Sequence, residues 1–140
     1  MNTNEKLHDQ IQWLLGTMVD STPGAAHALV LSRDGLKFCH TSRLSDDTAD
    51  QLAAIASGFQ GLARSASVNF GDGTGGVRQA MTYFFGGILF IVQAGAGTHL
   101  AVLAGEDADV GLIGHRMDEL VEQIGEFLTS EPRPSPSPAS

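Results

Sequence analysis

The sequence predicts a mixed α/β fold, an α+β sandwich in which a five-stranded antiparallel sheet carries helices on both faces, in the order α-β-β-α-β-β-β-α. Three observations within the 140 residues lead to this fold class. Three segments repeat apolar residues at helical spacing, and five short apolar segments are separated by turns short enough to join antiparallel strands. The last two strands are apolar at nearly every position, as is typical of strands covered on both sides.

The first third of the chain predicts a helix followed by a β-hairpin. Apolar residues recur at helical spacing over residues 4–19, and Pro23 and Gly24 end this pattern. The apolar runs 26–32 and 36–41 then flank an Asp-Gly pair, which favours the positive φ angles of a tight turn. We therefore expect the first two strands to pair as a hairpin.

A second helix is predicted over residues 45–67, and it carries two different stripes. We expect the apolar stripe to pack against the sheet; its residues are Ala49, Leu52, Ile55, Ala56, Phe59, Leu62, Ala63 and Ala66. The opposite stripe holds only small residues, namely Ala54, Gly58, Gly61 and Ser65. A glycine in a helix interior costs about 1 kcal/mol relative to alanine, so a compensating contact is expected. Either these glycines relieve crowding inside the domain, or a helix of a second subunit lies across them.

Three strands and a final helix complete the predicted domain. The strands are expected at residues 77–84, 86–95 and 98–105. The helix is expected at residues 108–128, and its acidic outer face is either a solvated surface or an acidic docking surface. Beyond it, the proline- and serine-rich residues 131–140 are expected to form a disordered tail, so that the domain comprises residues 1–130.

Composition and charge exclude several classes of function. The chain carries 16 acidic and 8 basic residues, a formal net charge of −8, and its basic residues do not cluster. Binding to nucleic acids or to anionic membrane surfaces is therefore not expected. The single cysteine, Cys39, excludes an internal disulfide, and no apolar run has the length of a signal peptide or a membrane span. We expect a cytoplasmic protein without direct membrane insertion.

No catalytic, cofactor-binding or metal site is predicted. Residues 71–76 match the G-x-G-x-x-G pattern of dinucleotide-binding loops, but a predicted helix precedes this segment and a strand follows it, which reverses the required order. The five histidines lack the spacing of metal ligands, and a cysteine in a strand, such as Cys39, is typically a buried residue. We therefore expect neither an enzyme nor a bound cofactor.

Several segments, in this order and spacing, resemble the Roadblock/LC7 family, in particular its bacterial branch encoded beside small Ras-like GTPases in actinobacterial conservon clusters. The resemblance covers residues 7–128. It rests on the segments LVLSRDGL, ADQLAAIASGF, FGDGTGGVRQAM, GGILFIVQAG, THLAVLA and DADVGLIGHRMDELVEQIGEFL. The sequence departs from this branch at residues 83–86, where Tyr-Phe-Phe-Gly stands in place of a more acidic strand end.

The resemblance implies a homodimer in which the central helices of two subunits lie antiparallel and the third strands pair edge to edge. The expected interface consists of Ala54, Gly58, Gly61, Ser65, Val77, Gln79, Met81 and Tyr83. It also implies a non-catalytic regulator or scaffold that binds a small Ras-like GTPase in a signalling complex, with modulation of the GTPase cycle as one such role. A membrane sensor kinase-like protein of the same cluster is the further partner it implies, and this partner would recruit the protein to the membrane.

Two other expectations concern the remaining surfaces. Trp13 lies outside the apolar stripe of the first helix, and Glu119, Glu122 and Glu126 belong to the acidic row of the last helix. These four residues are candidate contacts for a protein partner. As an alternative function, the protein is a small-molecule-sensing module with a pocket between the sheet and the helices, and a ligand bound to the purified protein would favour it.

Overall fold

The computed structural model describes residues 3–95 and 97–130 and places three helices and five strands within them. Their bounds are α1 Thr3–Ser21, β1 Ala25–Ser32, β2 Lys37–His40, α2 Asp46–Phe70, β3 Ala80–Phe84, β4 Gly87–Gln93, β5 Thr98–Ala104 and α3 Val110–Ser130. The predicted order of elements is confirmed. The tail predicted at residues 131–140 lies outside the described residues, so it and the domain boundary beside it stay predictions.

The five strands form one antiparallel sheet in the order β2-β1-β5-β4-β3. β1 and β5 pair along their whole length, from Ala25 opposite Ala104 to Ser32 opposite Thr98. β2 lies at one edge of the sheet and β3 at the other. Within the described chain, β3 is therefore hydrogen-bonded to a strand on one side only, that of β4.

α1 and α3 pack together on one face of this sheet. Alternate strand residues such as Val30, Phe90 and Val102 form a core cluster with Leu15 of α1 and Met117 of α3, because successive side chains of a strand point to opposite faces. All five side chains are buried. Burying a large apolar side chain stabilises a fold by about 1.5–3 kcal/mol, so this cluster holds both helices to the sheet.

α2 covers the opposite face of the sheet. It begins after Ser45, whose hydroxyl accepts a hydrogen bond from the backbone N–H of Thr48 and so satisfies a donor of the first turn. The buried residues of the helix are Ala49, Leu52, Ala53 and Ala56. They pack on the other set of strand residues, which includes Leu29 and Ile91. Three of the four are alanines, and small side chains allow the helix to lie close to the strands.

The structure corrects the prediction for the apolar stripe of α2. Ile55, Phe59 and Leu62, which the spacing places against the sheet, are exposed. The buried residues end at Ala56, whereas the helix continues to Phe70. Helical spacing identifies residues that share a face, but it does not say how much of that face has a sheet beneath it.

The structure also corrects the start of the third strand. Val77 and Gln79 lie in an irregular segment, and β3 begins only at Ala80. Ser67 Oγ donates a hydrogen bond of 2.7 Å to the carbonyl oxygen of Gly76, which holds this segment against the end of α2. The chain pairs with β4 only after it has left that contact.

Candidate interaction surface

The second half of α2 presents apolar side chains to solvent. Residues 57–70 extend over about 21 Å, because each helical residue rises 1.5 Å. Leu62 is 71% exposed, and Phe59 is exposed one turn earlier. Between Ile55 and Phe70 the sequence contains a single charged residue, Arg64. An ordinary surface helix carries charged and polar residues on its outer face, so this half of α2 has the composition of a contact surface.

The exposed apolar side of α2 faces the β3 edge of the sheet. On the other side of the helix, Lys37 Nζ of β2 lies 3.2 Å from a carboxylate oxygen of Asp50, and Ser57 Oγ donates a hydrogen bond to the carbonyl oxygen of Arg33 in the β1–β2 turn. At about 100° per residue, Val68 lies on the same side as Asp50 and Ser57, whereas Ile55, Phe59, Leu62 and Phe70 lie around the helix away from them. Because β2 and β3 are opposite edges, these residues point toward β3.

β3 and the turn after it carry further exposed apolar side chains, those of Met81, Tyr83, Phe84 and Phe85. Phe84 points to the face of the sheet that α2 covers, whereas Met81 and Tyr83 lie opposite Phe90 and Ile88 and point to the α1–α3 face of the same edge. The hydroxyl of Tyr83 donates a hydrogen bond of 2.6 Å to the carbonyl oxygen of Glu106, and the N–H of Gly86 donates one of 3.1 Å to the Glu106 carboxylate. These bonds hold the β3–β4 turn against the loop before α3. The outer edge of β3 has no partner strand within the described chain, and such an edge is a template for pairing.

We name these exposed residues the α2–β3 surface: Ile55, Phe59, Leu62, Phe70, Met81, Tyr83, Phe84 and Phe85. They are eight of the twelve large hydrophobic side chains exposed in the described chain. Single exposed apolar residues are ordinary, but their concentration on two elements marks a site of protein interaction. Of this set, only Met81 and Tyr83 belong to the interface expected from the sequence.

The small-residue stripe of α2 is exposed beside this surface. Ala54, Gly58, Gly61 and Ser65 all face solvent. A Cβ atom built on Gly58 or on Gly61 meets no other atom within 4 Å in the described chain. Crowding inside the subunit therefore does not account for these glycines, and the explanation by contact with a second subunit is the one left open.

Comparison with known families decides the identity of this fold. The family model described as the Roadblock/LC7 domain matches residues 11–104, more than half of the chain. The chain belongs to the Roadblock/LC7 family. The resemblance in the sequence segments is thereby confirmed at the level of the family.

Solved structures agree with this assignment. A Roadblock/LC7 domain from Streptomyces avermitilis is 42% identical, with a TM-score of 0.79 over 84% of this chain and 97% of that chain. A second Roadblock/LC7 domain from that organism is 36% identical, with a TM-score of 0.68 over 81% and 97% of the two chains. MglB of Myxococcus xanthus has a TM-score of 0.79 at 12% identity over 92% and 95%, a likeness of fold alone. No curated protein sequence matches the chain.

This Roadblock/LC7 domain brings together two of the four candidate partner contacts. Trp13 of α1 and Glu119 of α3 line one groove between these helices, with a volume of about 220 Å³. Glu122 and Glu126 are exposed on α3 outside the lining of the groove. Trp13 and Glu119 are far apart in the sequence, so their proximity depends on the packing of α1 against α3 and no local pattern indicates it.

A second cavity lies between the sheet and the layer formed by α1 and α3. Its volume is about 250 Å³. It is lined by Leu7, Ile11, Val30, Leu31, Ser32, Phe38, Thr98 and Ile124. The alternative function, a small-molecule-sensing module, requires a pocket between the sheet and the helices, and this cavity lies there. Its lining is predominantly apolar.

The described residues of this Roadblock/LC7 domain include no group of three histidine, cysteine or acidic side chains placed to hold a metal ion. Cys39 is buried, and burial raises the pKa of its thiol to about 12, which leaves no reactive thiolate at neutral pH. His99 is buried as well; burial, and then the charge of Arg33, lower its pKa.

Two further sequence features have a definite position in the structure. The G-x-G-x-x-G segment lies after α2 and before β3, as predicted, and within it the Asp72 carboxylate accepts hydrogen bonds from the N–H and the hydroxyl of Thr74. This is a local turn, typical of aspartate. As for membrane spans, none of the helices described combines the length and the apolar character that crossing a bilayer requires.

Proposed function

We propose that this Roadblock/LC7 protein is a homodimeric regulator or scaffold that binds a small Ras-like GTPase and catalyses no reaction itself. Membership of the family supports a regulatory role. The observation that carries the proposal is the α2–β3 surface, because a lone subunit leaves its aromatic and aliphatic side chains in water next to an unpaired strand edge.

A second copy of the chain suits both parts of the α2–β3 surface at once. In a two-fold arrangement, the two β3 edges pair and extend the sheet, while each α2 covers the apolar side of the other. Gly58 and Gly61 permit close approach of the two helix backbones. Each square ångström of apolar surface removed from water contributes about 25 cal/mol, so exposed residues such as Leu62 favour the dimer.

The GTPase partner in this proposal follows from the resemblance of the sequence segments to the bacterial branch encoded beside such GTPases. A regulator shifts a GTPase between its nucleotide states only by binding one state more tightly than the other. The proposed mechanism is therefore differential affinity of the dimer surface for the two states. The sensor kinase-like partner and recruitment to the membrane have no support from the comparisons and are not part of the proposal.

Titration of a small Ras-like GTPase from the same organism tests the proposal. The GTPase is loaded in turn with GDP and with a non-hydrolysable GTP analogue, and each form is titrated with the purified dimer. We expect at least a tenfold difference in Kd, equivalent to about 1.4 kcal/mol. Equal affinity for the two forms would leave a scaffold without a switch. Absence of binding to either form would refute the GTPase partner.

One observation favours a second candidate function. The apolar cavity of about 250 Å³ between the sheet and the α1 and α3 layer is close to the lower end of the size range of small-molecule sites. A sensor would hold a small apolar ligand there. Native mass spectrometry of protein purified from its own cells tests this: a co-purifying small molecule supports the sensor, and unliganded protein of the sequence mass contradicts it.

A further inference from the structure

α1 and α3 lie antiparallel on the face of the sheet away from α2. Leu7, near the start of α1, shares a cavity with Ile124 in the last third of α3, whereas Met18, near the end of α1, shares the groove with Arg116 in the first third of α3. The groove is open to solvent between the two helices, and buried Leu14 and Leu120 lie in its lining. A cleft between parallel helix axes accepts a third helix by the same packing of ridges into grooves.

Trp13 is the largest side chain of this groove, and it is 67% exposed. Its neighbours Leu14 and Met18 are buried in the core. A tryptophan that is covered on binding buries a large apolar area at a small entropic cost, and tryptophan is enriched among the residues that dominate binding energy. Trp13 therefore provides an apolar anchor point outside the α2–β3 surface.

Carboxylates surround this anchor point. Asp9 and Asp20 lie one turn before and two turns after Trp13 on the same side of α1, Lys6 lies two turns before it, and all three are exposed. Across the groove, Glu119 belongs to the lining and Glu122 is exposed beside it, with Arg116 as a basic neighbour. This excess of negative charge attracts a partner with lysine and arginine side chains and repels an acidic one.

A second copy of this chain does not fit the groove. Each of the three helices carries one lysine or arginine, namely Lys6, Arg64 and Arg116, so none has a basic stripe. A helix of the acidic chain would place carboxylates against Glu119 and Glu122. The α2–β3 surface lies on the other face and at the β3 edge, so the proposed dimer leaves the groove of each subunit open.

We propose that the groove between α1 and α3 docks a basic amphipathic helix of a partner protein. An apolar residue of that helix lies against Trp13, and its lysine or arginine residues face Glu119 and Glu122. Residues 13–21 of α1 span about 12 Å, which accommodates roughly two turns of the partner helix. The proposal depends neither on the GTPase nor on its nucleotide state, and its failure would leave the proposed function untouched.

Trp13 is the only tryptophan in the chain, so its fluorescence reports on this groove directly. The probe is a synthetic peptide of about 18 leucine and lysine residues at amphipathic helical spacing, long enough to form a helix. A peptide with glutamate in place of lysine is its counterpart. With the full-length protein, we expect the lysine peptide to cause a saturable blue shift of Trp13 emission with one peptide per subunit, and the glutamate peptide to cause none.

Charge reversal in the groove locates the binding site. The double substitution Glu119→Lys and Glu122→Lys should raise the Kd of the lysine peptide about tenfold, because attraction is replaced by repulsion at two positions. Asp47→Lys makes the same kind of change at an exposed position of α2 and should leave the Kd unchanged. Circular dichroism establishes that each variant is folded. Equal binding of the two peptides, or equal weakening by Asp47→Lys, would overturn the proposal.

Discussion

His40 joins β2 to the start of α2 through both nitrogens of its ring. Nδ1 lies 2.8 Å from the carbonyl oxygen of Thr41, and Nε2 lies 3.0 Å from the carboxylate of Asp46. Both neighbours are acceptors, so either ring nitrogen donates a hydrogen bond there when it carries a hydrogen. Lys37 Nζ lies 3.4 Å from the same carboxylate. The hydrogen bond from His40, followed by the contacts of Lys37, holds the pKa of Asp46 below its ordinary value.

We predict that Asp46 contributes to stability at neutral pH and not in acid. A carboxyl group with a pKa that is lower in the folded state stabilises the fold above its unfolded value of about 3.9, and this contribution is lost as the pH falls through the folded value. The wild-type protein should melt at a higher temperature than Asp46→Asn at pH 7, and the gap should close in acid. Asp47→Asn is the control, because it removes a carboxylate from the same first turn of α2 and so reproduces the lost interaction with the helix dipole. A gap that persists in acid would contradict the prediction.

At the scale of the element, the apolar side of α2 is predicted to hold the dimer together. Leu62→Glu places a charge at a position that is 71% exposed in the subunit, so the subunit should fold normally while the dimer dissociates. Leu36→Glu is the matched control, because Leu36 is 66% exposed in the turn at the opposite edge of the sheet. Light scattering should report a monomer for Leu62→Glu and a dimer for Leu36→Glu. If both variants remained dimers, the apolar side of α2 would not be part of the dimer interface.

The small-residue stripe of the same helix yields a separate prediction. A Cβ atom at position 58 meets no other atom of the described subunit within 4 Å, and replacing a helical glycine such as Gly58 by leucine favours the helix itself by up to about 1 kcal/mol. The substitution should nevertheless produce a monomer or an aggregate, because the bulky side chain keeps the two backbones apart. Gly16→Leu, at an equally open glycine of α1, should remain dimeric in sedimentation experiments. If Gly58→Leu stayed a dimer while Leu62→Glu dissociated, only the apolar side of α2 would lie in the interface.

The sequence predicts the elements better than it predicts their environment. The hairpin, the three helices and the order of the elements along the chain follow from local signals such as the Asp-Gly turn, and all are present. The exposure of Phe59 and Leu62 does not follow, because it depends on where the sheet ends beneath α2. The late start of β3 depends on the contact of Ser67 with Gly76, which no alternating pattern encodes. The presence of Trp13 and Glu119 in one groove depends on tertiary packing alone.

At the scale of the whole molecule, the domain is predicted to be independent of the tail. The core clusters consist of residues between Leu7 and Ile124. Removing residues 132–140 should therefore leave the melting temperature unchanged, since alternating proline and serine offer little apolar surface to bury. Differential scanning calorimetry of the truncated and full-length chains measures this. A decrease of several degrees on truncation would mean that the tail packs on the domain.

Folding and association should be one coupled equilibrium in this protein. If the apolar α2–β3 surface is covered only in the dimer, mass action makes the folded state more stable as the concentration rises. A hundredfold increase in protein concentration should raise the melting temperature of the wild type and of Leu36→Glu by roughly 3–5 °C. Leu62→Glu should melt at one temperature throughout, because its folded state is a monomer. A wild-type melting temperature that is independent of concentration would contradict the dimer, whichever surface was proposed for it.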